Sequence, residues 1–153
     1  MISTVIPAGS IEIEGVNNAT ISEYFISLNH GEFMATANLF AVVGCLHPPF
    51  DNPIQGRKAI AQYLAKEAQG MRFCPEAGES LTSDLNHDRY QIQGTVATKW
   101  FAINVCWLFE LNAVKEIVLV EIKLLATLPE LLNLAGTGDS AEQGGLATTP
   151  QPQ

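Results

Sequence analysis

A chain of 153 residues, 47% hydrophobic and 16% charged, is long enough to bury one real core and reads as a single globular domain. Eight basic against sixteen acidic side chains give a formal net charge of −8. That balance argues against a nucleic-acid partner, because phosphate binding needs clustered Lys and Arg, and against attraction to anionic lipid, while leaving an apolar membrane contact open. No stretch approaches the roughly 18 uninterrupted apolar residues of a membrane span. The opening MISTVIPAGSIEIEG has neither a basic segment nor a sustained apolar one, so no secretory signal is expected and the location expected is cytoplasmic. The three cysteines, Cys45, Cys74 and Cys106, match no metal-ligand spacing and fit small buried hydrophobes in a reducing compartment.

Residues 1–18 read as an N-terminal extension. Thr20-Ile21-Ser22-Glu23 has the form of a capping box, and Ile21, Tyr24, Phe25 and Leu28 then fall on one helical face. Asn29-His30-Gly31 ends that helix. A second short helix is predicted over about 32–40, with Phe33, Ala37 and Phe40 on one side. Ala41 to Leu46 reads as a short strand. His47 to Pro53 carries three prolines and can be neither helix nor central strand. Gly56 opens a third helix to about Ala68, with Ile60, Tyr63 and Leu64 inward, and Gly70 closes it.

From Met71 the period changes to two. Met71 and Phe73 alternate with Arg72 and Cys74; Tyr90, Ile92 and Val96 with Gln91, Gln93 and Thr95; Val118, Val120, Ile122 and Leu124 with Glu121 and Lys123. Lys99 to Leu111, KWFAINVCWLFEL, holds both tryptophans and is predicted to be one central strand. If Trp107 points inward, so do Phe101, Ile103, Val105 and Phe109, while Cys106 points out with Asn104, Leu108 and Glu110. Turns at 86–88 and 111–113 predict an antiparallel meander. Pro129 to Leu134 is a short terminal helix with Pro at its first position, and residues 135–153 have the Gly, Thr, Ser, Gln and Pro content of a disordered tail. Helices first and strands later give an α+β cone: three helices packed on a curved antiparallel sheet, closed by a short C-terminal helix, with a hollow between the layers. That architecture suggests a nuclear-transport-factor-2-like fold, which hosts isomerases, cyclases, dimerisation modules and carriers and so names no function.

The stretches EYFISLNHGEF, PPFDNPIQGRKAIAQYLAKEAQGMRFCPEAG, VATKWF, NVCWLFELN and KEIVLVEIKLLATLPELLNL resemble the C-terminal domain of the cyanobacterial orange carotenoid protein family. The resemblance runs from about Ile21 to Leu134 and frames a carotenoid-binding domain at 19–134. No stretch of this sequence resembles the helical carotenoid domain of that family, so a domain standing alone is expected. The resemblance implies a stand-alone, non-enzymatic, water-soluble carrier of a ketocarotenoid such as canthaxanthin or echinenone. Such a carrier takes pigment from membranes by transient contact, passes it to helical carotenoid proteins, and contributes singlet-oxygen quenching and photoprotection. It implies that Tyr24 and Trp107 hydrogen-bond the keto oxygen, and that a homodimer shares one long pigment. Parity adds Met71, Phe73, Phe101, Ile103, Val105, Phe109, Ile122 and Leu124 as pocket lining, with Trp100 a further candidate. The connection between the tryptophans, WFAINVCW, is shorter than in that family, which leaves the side of Trp100 open. An outward Cys106 could form a redox-sensitive disulfide between copies. Glu67 matches a family Glu that faces the carotenoid domain, but also fits an ordinary helix-surface charge. His30, His47 and His87 read as solvated.

Two other readings stand beside the carrier. An isomerase- or cyclase-like enzyme would need a carboxylate or His in the pocket as general base, with Tyr24 and Trp107 as oxyanion donors. Glu110 and Glu121 have outward parity, and Asp88 lies at a strand mouth beside a turn. A ligand-free dimerisation module is the third reading.

Overall fold

The computed structural model describes residues 11–83 and 87–125. The predicted Pro129–Leu134 helix, the tail and part of the turn at 86–88 lie outside them. Helix α1 spans Ala19–Asn29 and buries Ile21, Tyr24, Phe25 and Leu28, the face that the periodicity marked. Its cap differs from the predicted one. Asn18 holds the N-cap and its side-chain oxygen accepts from the Ile21 N–H at 3.1 Å. Thr20 falls inside the first turn, and its hydroxyl donates to the Lys115 carbonyl at 2.9 Å. Asn accepts from a first-turn N–H at least as well as Thr, so the helix starts earlier. Asn18→Ala should lower stability by about 0.5–2 kcal/mol, read as a lower urea midpoint with an unchanged slope.

Helix α2, Phe33–Ala37, is shorter than predicted, because Phe40 already belongs to strand β1, Phe40–His47. The proline loop follows, then a two-residue strand β2, Ile54–Gln55, too short for any periodicity to announce. Helix α3, Arg57–Glu67, starts after Gly56, whose φ of 95° suits glycine, and buries Ile60, Ala61 and Leu64. Tyr63 is half-buried.

Strands β3 (Arg72–Ser83), β4 (Asp88–Ala97), β5 (Ala102–Leu111) and β6 (Ile117–Leu125) form the predicted antiparallel meander. The sheet order is β2-β1-β6-β5-β4-β3. It is not wholly antiparallel: β1 runs parallel to β6. Strand β1 enters from the helical half, so no hairpin fixes its direction, and alternation carries no information about that direction. A bulge interrupts the β1–β6 register between Phe40 and Cys45. Gly44 sits in it, where a Cβ would come within 2.7 Å of the Ile117 carbonyl oxygen.

Residues 11–18 are more than an extension. Glu14 donates to Glu76 and accepts from Gly78 at 3.1 and 2.8 Å, along the free edge of β3, and Ile13 is buried. The segment thus covers part of a sheet edge. The core between helices and sheet is strongly aromatic, built from Tyr24, Phe25, Phe40, Trp107 and Phe109.

Candidate functional site

Opposed residues on antiparallel strands share a face, so the register assembles the site's inner wall in rows. Ile92, Trp107 and Ile122 form one row; Val105 and Leu124 lie in the next; Phe73, Val96 and Ile103 form another. Helices α1 and α3 cover this face incompletely. They leave a cavity of about 200 Å³, lined by these sheet residues other than Ile92, by Tyr24, Leu28, Tyr63, Leu64, Glu67, Ala68 and Met71, and by Leu46, Pro48 and Pro49. Thr98 stands at its edge. The lining is almost wholly apolar, with Glu67 its one carboxylate.

Tyr24 and Trp107 are both fully buried, 1% and 0% exposed. Neighbouring rings hold them. Phe25 meets Tyr24 edge-on at 5.1 Å and Trp107 at 4.8 Å, and Phe109 meets Tyr24 at 5.0 Å with the planes at 90°. Such edge-to-face pairs have a preferred geometry, so both side chains are fixed by packing. Neither the Tyr24 hydroxyl nor the Trp107 indole N–H has a hydrogen-bond partner among the described residues. A buried donor left unpaired costs about 1–3 kcal/mol, and such groups are rare enough to need a reason. Burial, and to a lesser extent nearby Tyr63, raises the Tyr24 pKa far above its usual value, so the hydroxyl keeps its proton and stays a donor. Tyr63, nearer solvent, donates to Asp51 at 3.1 Å, and its pKa is raised to about 12 by partial burial and that carboxylate.

Of the predicted lining, Tyr24, Met71, Phe73, Ile103, Val105, Trp107, Ile122 and Leu124 come together in the cavity. Three residues do not. Phe109 is buried behind Tyr24, in the core rather than the cavity. Trp100 and Phe101 are 80% and 57% exposed. They belong to a turn, not to the strand, because Thr98 closes a hydrogen-bonded loop onto Phe101 and β5 begins only at Ala102. Cys106 lies on the outer face as parity required, yet it is only 7% exposed. Burial raises its thiol pKa; Lys123 opposes the shift and Glu121 adds to it. Asp88 lies at the far end of β4, opposite Leu111, and pairs with Lys115. His47 and His87 are half-exposed but face Glu121 and Glu110 at 3.8 and 3.4 Å.

The proline loop and Leu46 complete the lining without any signal in the periodicity. Its prolines announced irregular backbone but not which way it packs. A larger, more open cleft of about 790 Å³ lies beyond the wall of Leu28, Ala68, Met71 and Phe73, bordered by Glu12, Asn29, His30 and Arg72. Its polar border and open form suit water better than an apolar ligand.

No family model matches the sequence. The chain is 37% identical over 128 residues to the orange carotenoid-binding protein of Limnospira maxima, covering 81% of this chain and 40% of that protein. The structure of the Anabaena (Nostoc) sp. PCC 7120 orange carotenoid protein binding canthaxanthin superposes with a TM-score of 0.73 at 38% identity, over 81% of this chain and 41% of that one. The chain therefore spans about two fifths of the length of these relatives. An NTF2-like protein from Cytophaga hutchinsonii shares the fold at 13% identity and TM-score 0.56, over 77% of this chain and 97% of its own. A ketosteroid isomerase-like protein from Erwinia carotovora does so at 16% and 0.57, over 71% and 93%. The cone, its cavity and these likenesses lead to one placement: the chain is a homologue of the C-terminal domain of the orange carotenoid proteins, on a nuclear-transport-factor-2-like fold.

Proposed function

We propose that this protein binds a ketocarotenoid, of canthaxanthin or echinenone type, with one ring in the cavity and the keto oxygen accepting from the Tyr24 hydroxyl and the Trp107 N–H. The observation that carries this reading is a pair of buried donors in an apolar cavity that have no hydrogen-bond partner among the described residues. A ketone supplies the missing acceptor, and its apolar ring fills the rest. The canthaxanthin bound by the Anabaena relative supports the ligand class. Each hydrogen bond contributes about 0.5–1.5 kcal/mol net, and apolar burial at roughly 25 cal/mol per Å² supplies most of the affinity. The two bonds then select keto over hydrocarbon carotenoids.

At about 200 Å³ the cavity is smaller than the roughly 300–1,000 Å³ of pockets that enclose a whole drug-sized ligand. It takes an end group and leaves the polyene to leave by the mouth. A second copy, or a helical carotenoid protein, would cover that length. This fits a carrier that collects pigment, shares it in a homodimer and hands it on, with the polyene itself quenching singlet oxygen. Burial of Cys106 opposes ready thiol exchange, so the pairing is proposed without a disulfide. The enzyme reading asks for a pocket carboxylate, and Glu67, on the last turn of α3, lines the cavity; the carrier is proposed over it because the rest of that lining is almost wholly apolar.

Expression in cells that make canthaxanthin tests the reading. The expected result is a soluble, coloured protein whose absorption is red-shifted from free pigment, with a mass of two chains. Colourless protein from pigmented cells would overturn it.

A further inference from the structure

The polar side chains of the cavity are sorted by element. The two donors without a partner among the described residues, the Tyr24 hydroxyl and the Trp107 N–H, stand on α1 and β5. Helix α3 brings groups of the opposite character. Tyr63 and Glu67, one turn apart on it, both line the cavity. The Tyr63 hydroxyl donates its proton away from the cavity, to Asp51 of the proline loop at 3.1 Å, and Asp51 is not part of the lining. Glu67 is exposed to solvent, whereas Tyr63 is half-buried and stands close enough to Tyr24 to raise its pKa.

A phenolic hydroxyl has one proton and keeps acceptor capacity on its oxygen. With that proton committed to Asp51, Tyr63 has only acceptance left to offer the cavity, and donation to a carboxylate polarises the oxygen and makes it the better acceptor. A plain ring ketone answers the two donors alone. A ring with a hydroxyl on the carbon beside the ketone answers all three groups: its carbonyl accepts from Tyr24 and Trp107, and its hydroxyl donates to Tyr63. In a wall otherwise so apolar, that hydroxyl would be costly to bury without such an acceptor.

We propose that the end group this cavity prefers is an α-hydroxyketone, a six-membered ring with a hydroxyl beside the keto carbon, and that Tyr63, held by Asp51, is the residue that selects it. The inference rests on the pigment reading of the same cavity and narrows its ligand class. A ketone without the hydroxyl still binds through Tyr24 and Trp107, so the preference can fail while the pigment reading stands.

Astaxanthin is canthaxanthin with a hydroxyl added beside each ketone, so either end can enter and the pair differs only in the group at issue. The full chain is offered an equimolar mixture of the two, and the bound pigments are extracted and quantified. Wild type should be enriched in astaxanthin about 2- to 12-fold, the factor of one net hydrogen bond. Tyr63→Phe should bring the ratio to parity or below. Asp51→Asn, which leaves a neutral acceptor for the Tyr63 proton, should bring it part of the way. A merely structural role for Tyr63 would lower both loadings and leave their ratio alone, and that result would overturn the proposal. Even uptake, or a preference for canthaxanthin, in wild type would overturn it and leave the pigment reading standing. A ratio that moves with Glu67→Gln and not with Tyr63→Phe would overturn the assignment to Tyr63. Uptake of neither pigment would overturn the pigment reading and this inference with it.

Discussion

Tyr24→Phe should stabilise the pigment-free protein and weaken its hold on a ketocarotenoid. The two effects have opposite signs because one atom causes both. The Tyr24 hydroxyl is buried and, among the described residues, unpaired. Its removal relieves a desolvation cost of about 1–3 kcal/mol, while the ring and its contacts with Phe25 and Phe109 stay in place. In the pigmented protein the same hydroxyl is proposed to meet the keto oxygen, and losing that bond should weaken binding about 2- to 12-fold and shift the visible band toward free pigment. Chemical denaturation of the colourless variant and pigment titration of the same sample read the two halves. Were Tyr24 only core, stability would rise and the binding and spectrum would not move.

Trp107→Ala should cost about 3–5 kcal/mol of stability, a large share of the roughly 5–15 kcal/mol available to a domain. The indole is fully buried, packs edge-on to Phe25 at 4.8 Å and stands between Ile92 and Ile122 in the sheet. Deleting it opens a void in the middle of the structure, next to an existing cavity. Trp107→Phe separates packing from donation: it should keep most of the stability, lose the N–H donor and lose the red shift. A denaturation midpoint for the alanine variant close to wild type would show that the row Ile92–Trp107–Ile122 is not packed as described. A wild-type spectrum in the phenylalanine variant would remove Trp107 from the pigment contact.

Much of this was readable in the residues. The α1 face of Ile21, Tyr24, Phe25 and Leu28 is set by a 3.6 period, and the inner side of β5 follows from a period of two once Trp107 is placed inward, while the pairing of Tyr24 with Trp107 rests on the family resemblance. What was lost is what periodicity does not encode. Alternation gave the parity of β5 but not where it starts, so Trp100 and Phe101 were counted as strand; the Thr98 hydroxyl, bonding two N–H groups of its own turn, ends β4 first. Parity put Cys106 on the outer face, but face is not exposure, and a small side chain between the register neighbours Gln93 and Lys123 is covered from both sides. The parallel β1–β6 pair depends on how the helices return the chain, a long-range matter with no local signature.

The two donors can be tested against each other's absence of purpose by offering the protein a mixture of canthaxanthin and β-carotene, which differ in keto oxygens on an otherwise shared skeleton. Extracting and quantifying what remains bound measures the preference directly. If Tyr24 and Trp107 await a ketone, canthaxanthin should be enriched about tenfold or more in wild type, with the preference falling toward parity in Tyr24→Phe, Trp107→Phe. Equal uptake of both pigments by wild type would contradict the proposed site.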